Sequence, residues 1–305
     1  MNEKLNALVG EIPGEIPQTL TDQQKIIDFY EKATSDYLHW NPGFNMHLGY
    51  YRRGLNPLKR EQMIDQLNLE IGKRLEIDDK KPSLLIDLGC GTGAVSRALA
   101  RHFPGTRYKG ITISPGQVRT GKRINRKEKL GERVEMLLSD FTDLPLEENS
   151  ADGVWAVESA CYAKGRDKND LIGEMARVLK SGGRFVVSDC FIKNPDKKMN
   201  FFMKKSYIGV CRGWALREMP VLDDFISALK KNGFREILVE DISWRVAPTL
   251  AQAPFAILSF IAKSWLAGKK LNHQSKNNLK ASLLAVNIGL YRKKFSYFLI
   301  SGKLK

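Results

Sequence analysis

No aspartate or glutamate follows Asp241 in this 305-residue chain, while eleven Lys and Arg residues do. Most of the formal net charge of +15 is therefore carried at one end. A second basic cluster is "RTGKRINRKEKLGER", from Arg119. Such asymmetry suits an anionic partner (nucleic acid, acidic lipid surface or negatively charged substrate), and equally a solvated cationic face. Cysteine is scarce: Cys90, Cys161, Cys190 and Cys211 form no C-x-x-C pair. That argues against structural zinc and against a disulfide framework, so a reduced, cytoplasmic protein with no metal site is expected. Long apolar runs are missing as well. The nearest, "APFAILSFIAKSWLAG", carries Lys263 and falls short of the ~18 residues that a spanning helix needs. "MNEKLNALVGEIPGEIP" lacks the apolar core of a cleavable signal. Internal repeats and low-complexity tracts are absent too, whereas an apolar fraction of 43% is ample for a core.

Three regions emerge along the chain. Residues 1–81 read as a helical N-terminal lid. Thr21 is a plausible N-cap with Gln24 at the capping-box position, and "KIIDFYEKATSDYLHW" carries apolar residues near helical spacing. The aromatic, glycine-rich loop "NPGFNMHLGYYRRGLNP" follows, then a helix with Met63, Ile64, Leu67 and Ile71 on one side. Residues 82–242 alternate strand and helix, with strands expected over 84–88, 108–113, 134–138, 153–157, 184–189 and 236–241. Helices lie between them, one stopped by Gly182-Gly183. This alternation argues for a doubly wound parallel sheet. Residues 243–293 read as a basic helical insertion, and 294–305 as a final strand beside the one at Glu236.

Within the middle region, "LLIDLGCGTGA" runs from a buried strand through Gly89, Gly91 and Gly93 into a helix. These letters satisfy G-x-G-x-x-A, a form of the dinucleotide fingerprint. A dinucleotide site, however, wants an acid roughly 20 residues on for the ribose hydroxyl. No acid lies between Ala94 and Lys127, and Thr112 holds the corresponding strand end. S-adenosylmethionine is the other reading. Asp87 would then reach the amino group of its methionine moiety, and the glycines let backbone approach. At the third strand's end Asp140 would accept from the adenine amine while Phe141 packs on the ring.

"LIDLGCGTG", "GITISPGQ", "SDFTDLP", "VWAVESACYA" and "ARVLKSGGRFVVSD" resemble, in order and spacing, the class I S-adenosylmethionine-dependent methyltransferases. "GITISPGQ" and "VESACYA" look like the branch that contains sterol C-methyltransferases, tocopherol methyltransferases and cyclopropane fatty acid synthases. That resemblance implies an α/β fold: a Rossmann-like, doubly wound, seven-stranded sheet with its last strand antiparallel, a helical lid, and a helical insertion before the last strand. It also implies that Thr112, Ser114 and Gln117 serve the ribose, and that an N-terminal aromatic segment covers the cofactor.

Methyl transfer is an in-line displacement, so the enzyme must align the reactants and exclude water. Glu158 follows "VWAV" at the fourth strand's end, beside Val157, where the methyl group would lie. An acid leaving an apolar strand has a raised pKa and suits a base; the competing reading is a helix cap or an ion-pair partner. Tyr37, Trp40, Phe44, Tyr50 and Tyr51 could shield a sulfonium, with Tyr37 and Tyr50 expected in contact and His47 a candidate base. In the insertion, Phe255, Ile257, Leu258, Phe260, Ile261 and Trp265 could line an apolar pocket, with Lys269, Lys270 and Lys276 beside it. Two uses compete: a membrane-surface helix, or a site for a diphosphate or carboxylate. The expected acceptor is an apolar or amphipathic small molecule of isoprenoid, sterol-like, quinol or lipid-like type. C-methylation with Glu158 as base is the first expectation, and O- or N-methylation of a natural product the second. Nucleic acid is disfavoured, since no "NPPY"-type motif follows the fourth strand and no RNA-binding module is appended.

Overall fold

The computed structural model describes residues 22–34, 40–81, 83–268 and 270–305. Seven strands form one sheet: β1 (Ser83–Leu88), β2 (Thr106–Thr112), β3 (Val134–Leu138), β4 (Ala151–Val157), β5 (Leu179–Ile192), β6 (Phe234–Asp241) and β7 (Phe295–Leu304). Their spatial order is β3-β2-β1-β4-β5-β7-β6. The first five are parallel, and β7 lies antiparallel between β5 and β6. The chain reverses its direction of travel across the sheet between β1 and β4. At such a switch point the carboxyl ends of the strands open a crevice.

Helices cover both faces because alternate residues of each buried strand point to opposite sides. One core joins Ile86, Val154, Phe185 and Ile300 to α5 (Asn169–Val178) and α7 (Leu222–Lys231), through Leu171, Met175, Phe225 and Leu229. The opposite core joins Leu85, Tyr108, Trp155 and Leu299 to α2 (Arg60–Arg74) and α3 (Ala94–His102), through Leu67, Ile71 and Leu99. Trp155, fully buried at the centre of β4, touches Tyr108 edge-on at 6.2 Å between ring centroids. Truncating such a side chain costs about 3–5 kcal/mol, so Trp155→Ala would threaten the whole sheet.

Helix α5 stops at Val178, ahead of the expected glycine stop, because Leu179 already pairs with Ala151 of β4; Gly182-Gly183 lies inside the extended β5. Helix α1 (Asp22–Ala33) precedes the lid loop, and α4 (Pro115–Lys127) follows β2. Helix α6 (Phe201–Gly213) follows β5, and α8 (Ser243–Ala251), α9 (Ala253–Leu266) and α10 (His273–Leu290) fill the connection between β6 and β7. Helices α1, α8, α9 and α10 help wall the crevice. Thr21, the expected N-cap, lies outside the described residues; Gln24 donates to Asp28 Oδ1 at 3.0 Å within α1.

Candidate active site

The glycine loop after β1 is held open by its backbone. Gly89, Gly91 and Gly93 all adopt positive φ, of 74°, 56° and 79°. A Cβ on Gly89 would sit 2.4 Å from Ser159 Cβ, so only glycine fits there. From α3, buried Arg97 donates to the carbonyl of Thr92 in this loop and to Gly43 O of the lid at 3.2 Å. One guanidinium thus ties the loop to its cover. Asp87, buried at the tip of β1, accepts from Ser96 Oγ at 2.7 Å. Loss of hydration pushes its pKa up to about 7, only partly offset by Ser96 and Arg97.

At the tip of β2, Thr112 Oγ1 donates to Gln117 Oε1 at 2.6 Å, and both residues line the crevice. Gln117 Nε2 is buried and, among the described residues, has no hydrogen-bond partner, a donor left over for a ligand. Ser114 does not join them. Its hydroxyl caps α4 by accepting from Gln117 N and donates to Glu31 Oε1 at 2.7 Å, so it fastens α1 to the sheet and is absent from the crevice wall. Beyond β3, Asp140 and Phe141 line the crevice. Asp140 Oδ1 takes both the N–H and the hydroxyl of Thr142, while its Oδ2 accepts from Gln23 Nε2 of α1 at 3.1 Å.

Glu158 follows β4 with a left-handed backbone, φ 49°. A glutamate held there costs of order 1–3 kcal/mol, a strain that accumulates at functional sites. Its Oε1 accepts from Leu48 N and from Tyr297 Oη, each at 2.8 Å. Among the described residues the carboxylate caps no helix and pairs with no cation, so neither competing reading holds. Burial pushes its pKa up to about 7, with nearby Asp189 adding to the rise and the two hydrogen bonds opposing it. Asp189, inside the neighbouring β5 just past the residue that pairs with Val157, is likewise raised to about 6 by burial while accepting from the N–H groups of Cys161 and Cys190. Tyr297 projects from β7, its phenol pushed well above the usual range by burial and by the Glu158 charge. It is the functional residue that the sequence reading missed. The phenol in "KFSYFLISG", a strand that also carries Ser296 and Ser301, was the available signal.

His47 lines the crevice, but its Nδ1 donates to Leu48 O at 2.7 Å and burial lowers its pKa. It orients the residue whose N–H holds Glu158, which makes it a positioning group rather than a free base. Tyr50 lies outside the crevice, its ring beneath the Arg245 guanidinium at 5.6 Å because α8 packs over the lid. Trp40 and Phe44 do line the crevice, together with Ile26 and Tyr30 of α1. Tyr30 and Tyr162 meet hydroxyl to hydroxyl at 2.9 Å. Tyr37 lies outside the described residues.

From Glu158 the crevice continues as one cavity of about 610 Å³. Its far wall is apolar: Val246, Ala247, Leu250, Ile257, Phe260 and Val286 from α8, α9 and α10. Of the expected pocket residues only Ile257 and Phe260 face inward; Phe255, Leu258, Ile261 and Trp265 lie on the outer side of α9, exposed. Lys270 and Lys276 are exposed and line no part of the cavity, and Lys269 lies outside the described residues. An acceptor anion inside the cavity would therefore find neither Lys270 nor Lys276.

Residues 86–187 match the family model of the methyltransferase domain. An O-methyltransferase of Penicillium expansum is 31% identical over 234 residues, which cover 76% of this chain and 78% of that one. The chain belongs to the S-adenosylmethionine-dependent methyltransferases. The methyltransferase is also 30% identical to a rice 24-methylenesterol C-methyltransferase over 75% of its own length, and spans 61% of that longer relative. A solved cyclopropane synthase of Mycobacterium tuberculosis has the same fold, with a TM-score of 0.78 at 12% identity over 94% of this chain and 99% of that one.

The crevice of the methyltransferase fits the family's cofactor on its own terms. The positive-φ glycines leave space beside the loop, and Asp87 supplies a buried acceptor. Gln117 Nε2 supplies a donor unpartnered among the described residues, and Phe141 a ring at the third strand tip.

Proposed function

We propose that this methyltransferase carries a methyl group to the carbon of an apolar small molecule (isoprenoid, sterol-like, quinol or lipid-like), with Glu158 as the base. The observation that carries this reading is the Glu158–Tyr297 pair. It is a carboxyl raised to about 7, hydrogen-bonded at 2.8 Å and set where the cofactor crevice opens into an apolar cavity. Bound S-adenosylmethionine would supply a sulfonium methyl open to in-line displacement. Asp87 would hold the cofactor's ammonium end, Thr112 and Gln117 the ribose, and Asp140 with Phe141 the adenine, once Gln23 yields its place on Asp140. Val157, which lines the crevice just before Glu158, would pack beside the methyl. Helix α1 and the Trp40–Phe44 loop exclude water above it, and the walls built by α8, α9 and α10 hold the acceptor.

An alkene that gains a methyl becomes a cation and must lose a proton. The Glu158 carboxylate stands where it would accept that proton and become the neutral acid, and the Tyr297 hydroxyl would hold the carboxylate in place until then. The four cysteines are all free, which suits a cytoplasmic site of action. O- or N-methylation of a natural-product-like acceptor is the second reading, and the Penicillium relative's name favours its O-methylation form. Incubating the protein with trideuteromethyl-labelled cofactor and a panel of isoprenoids, quinols and sterol-like lipids tests both. A label on carbon supports the first reading and a label on oxygen or nitrogen the second. A parallel incubation with RNA and DNA that takes up the label while the whole panel stays unlabelled would overturn both.

A further inference from the structure

Helix α9 is apolar over most of its circumference, Ser259, Lys263 and Ser264 apart, yet has protein on only one side. Ala253, Ile257, Phe260 and Ser264 form its buried stripe, against α10 and the cavity. Phe255, Leu258, Ile261 and Trp265, spaced three, three and four apart, form an outer stripe exposed by 73, 64, 41 and 78%. Leu266 beside them is exposed too. A helix this apolar is normally enclosed, and an exposed patch of this kind marks an interaction face.

Its setting is cationic. Lys263, Lys270, Lys276 and Lys280 are exposed around it, and no acid follows Asp241. A second feature of the same composition lies on α6, in "KKMNFFMKK": Phe201 and Phe202, both 74% exposed, between Lys197-Lys198 and Lys204-Lys205. Helix α6 runs antiparallel along α10, the helix that α9 also packs on. Asn287 Nδ2 donates to Ser206 Oγ at 2.8 Å, and Gly209 lies against Leu284.

We propose that the outer stripe of α9, together with the Phe201–Phe202 turn, seats the protein on an acidic lipid bilayer. Apolar rings flanked by lysines are what such an interface selects, burying the rings at the headgroup boundary while the ammonium groups meet anionic lipid. Residues 243–266 are together long and apolar enough to cross a membrane, longer than the sequence run suggested because α8 and α9 follow one another with only Gln252 between. Yet Arg245, Pro248, Pro254 and Lys263 interrupt them, and their inner residues wall the cavity, so α9 lies on the bilayer rather than through it. The helix is then one layer thick between lipid and the acceptor cavity, a short path for an apolar acceptor; that last step rests on the proposed function.

The test is co-sedimentation of the full chain with phosphatidylcholine vesicles, with and without phosphatidylglycerol. Binding should be at least about tenfold stronger on the acidic vesicles and should fall steeply as salt screens the charges. The triple variant Phe255→Ser, Leu258→Ser, Trp265→Ser should lose about tenfold or more in vesicle binding. Its affinity for the cofactor should be unchanged, because none of the three lines the cavity. Phe201→Ser with Phe202→Ser should give a partial loss. Wild-type protein that ignores acidic vesicles overturns the proposal. So does a stable dimer, dissolved by the triple variant, which would give the stripe to a second copy. Neither outcome touches the methyl-transfer reading, which the labelling experiment decides.

Discussion

Glu158→Gln removes a charge and keeps a shape, and the structure sets two of its effects in opposite directions. The carboxyl's pKa in the folded protein is raised from an ordinary 4.5 to about 7 by burial. Folding therefore favours the protonated acid. The Glu158 contribution to stability is fully present below pH about 4.5 and is lost as pH rises towards about 7; above that the fold carries a constant penalty. Each pKa unit is worth about 1.4 kcal/mol, which bounds the penalty near 3 kcal/mol; water in the adjoining cavity brings it to about 1–3 kcal/mol. Glutamine can still accept from Leu48 N and Tyr297 Oη through its amide oxygen, but it carries no charge at any pH.

The variant should thus melt higher than wild type at pH 8, by about 2–4 °C for each kcal/mol, and together with it at pH 4. Turnover should fall about 100- to 10,000-fold with the acceptor KM little changed, since a positioned base contributes on that scale. Thermal melts across pH and steady-state kinetics on the same samples read both. A variant that melts lower than wild type at pH 8 would refute the burial argument. Turnover within about threefold of wild type would refute the base.

Asp87→Asn should weaken cofactor binding by at least about tenfold, because a charge-assisted hydrogen bond is lost from a buried site. Wild-type binding near pH 7 should also release protons as a cationic ligand draws Asp87 down from about 7; calorimetry in buffers of different ionisation enthalpy reads this, and equal release from wild type and variant would sink the assignment. Tyr297→Phe should lower kcat about tenfold or more and move the acid limb of the pH–rate profile upward, because the hydroxyl that holds Glu158 down is gone; an unmoved limb would contradict the pairing. Gly89→Ala should cost about 1–3 kcal/mol in denaturant melts, from its φ of 74° and its contact with Ser159; a neutral result would mean the loop is free to relax.

What could be read from the sequence is what the chain determines locally. A buried strand, a glycine turn and an opening helix are consecutive residues, so Asp87 and the three glycines fall at a strand tip whatever the rest of the molecule does. Thr112, Asp140 and Glu158 follow by the same logic at later strands, and the sheet order then brings those tips together. Tyr297 lies 139 residues from Glu158, and only the antiparallel insertion of β7 beside β5 brings the two into contact. Tyr50 shows the opposite error. Aromatics crowd the lid loop, and nothing in their spacing says which ring Arg245 will cover. Ser114 was credited with a ligand although a serine before Pro115 is equally a helix cap, and the cap is what forms. In α9 apolar residues occupy nearly every side, so the inner and outer stripes are hard to tell apart until α10 chooses one.

Asp87 and Glu158 stand at the ends of β1 and β4, with Asp189 beside them inside β5; the three strands are adjacent, and burial raises all three carboxyls. Carboxyls so placed weaken the empty fold above pH 7, where each must be charged in a crevice too dry to solvate it. Their cost differs by role. Asp87 and Ser96 lie deep beside the glycine loop, where a ligand ammonium would restore the lost solvation. Asp189 is met by two backbone N–H groups and is in large part satisfied already. Glu158 alone combines strained backbone, raised pKa and an outlook onto the apolar cavity, with just two donors holding it. A sulfonium beside Val157 would bring a positive charge towards Glu158 and favour its carboxylate, the form that the proposed proton acceptance needs.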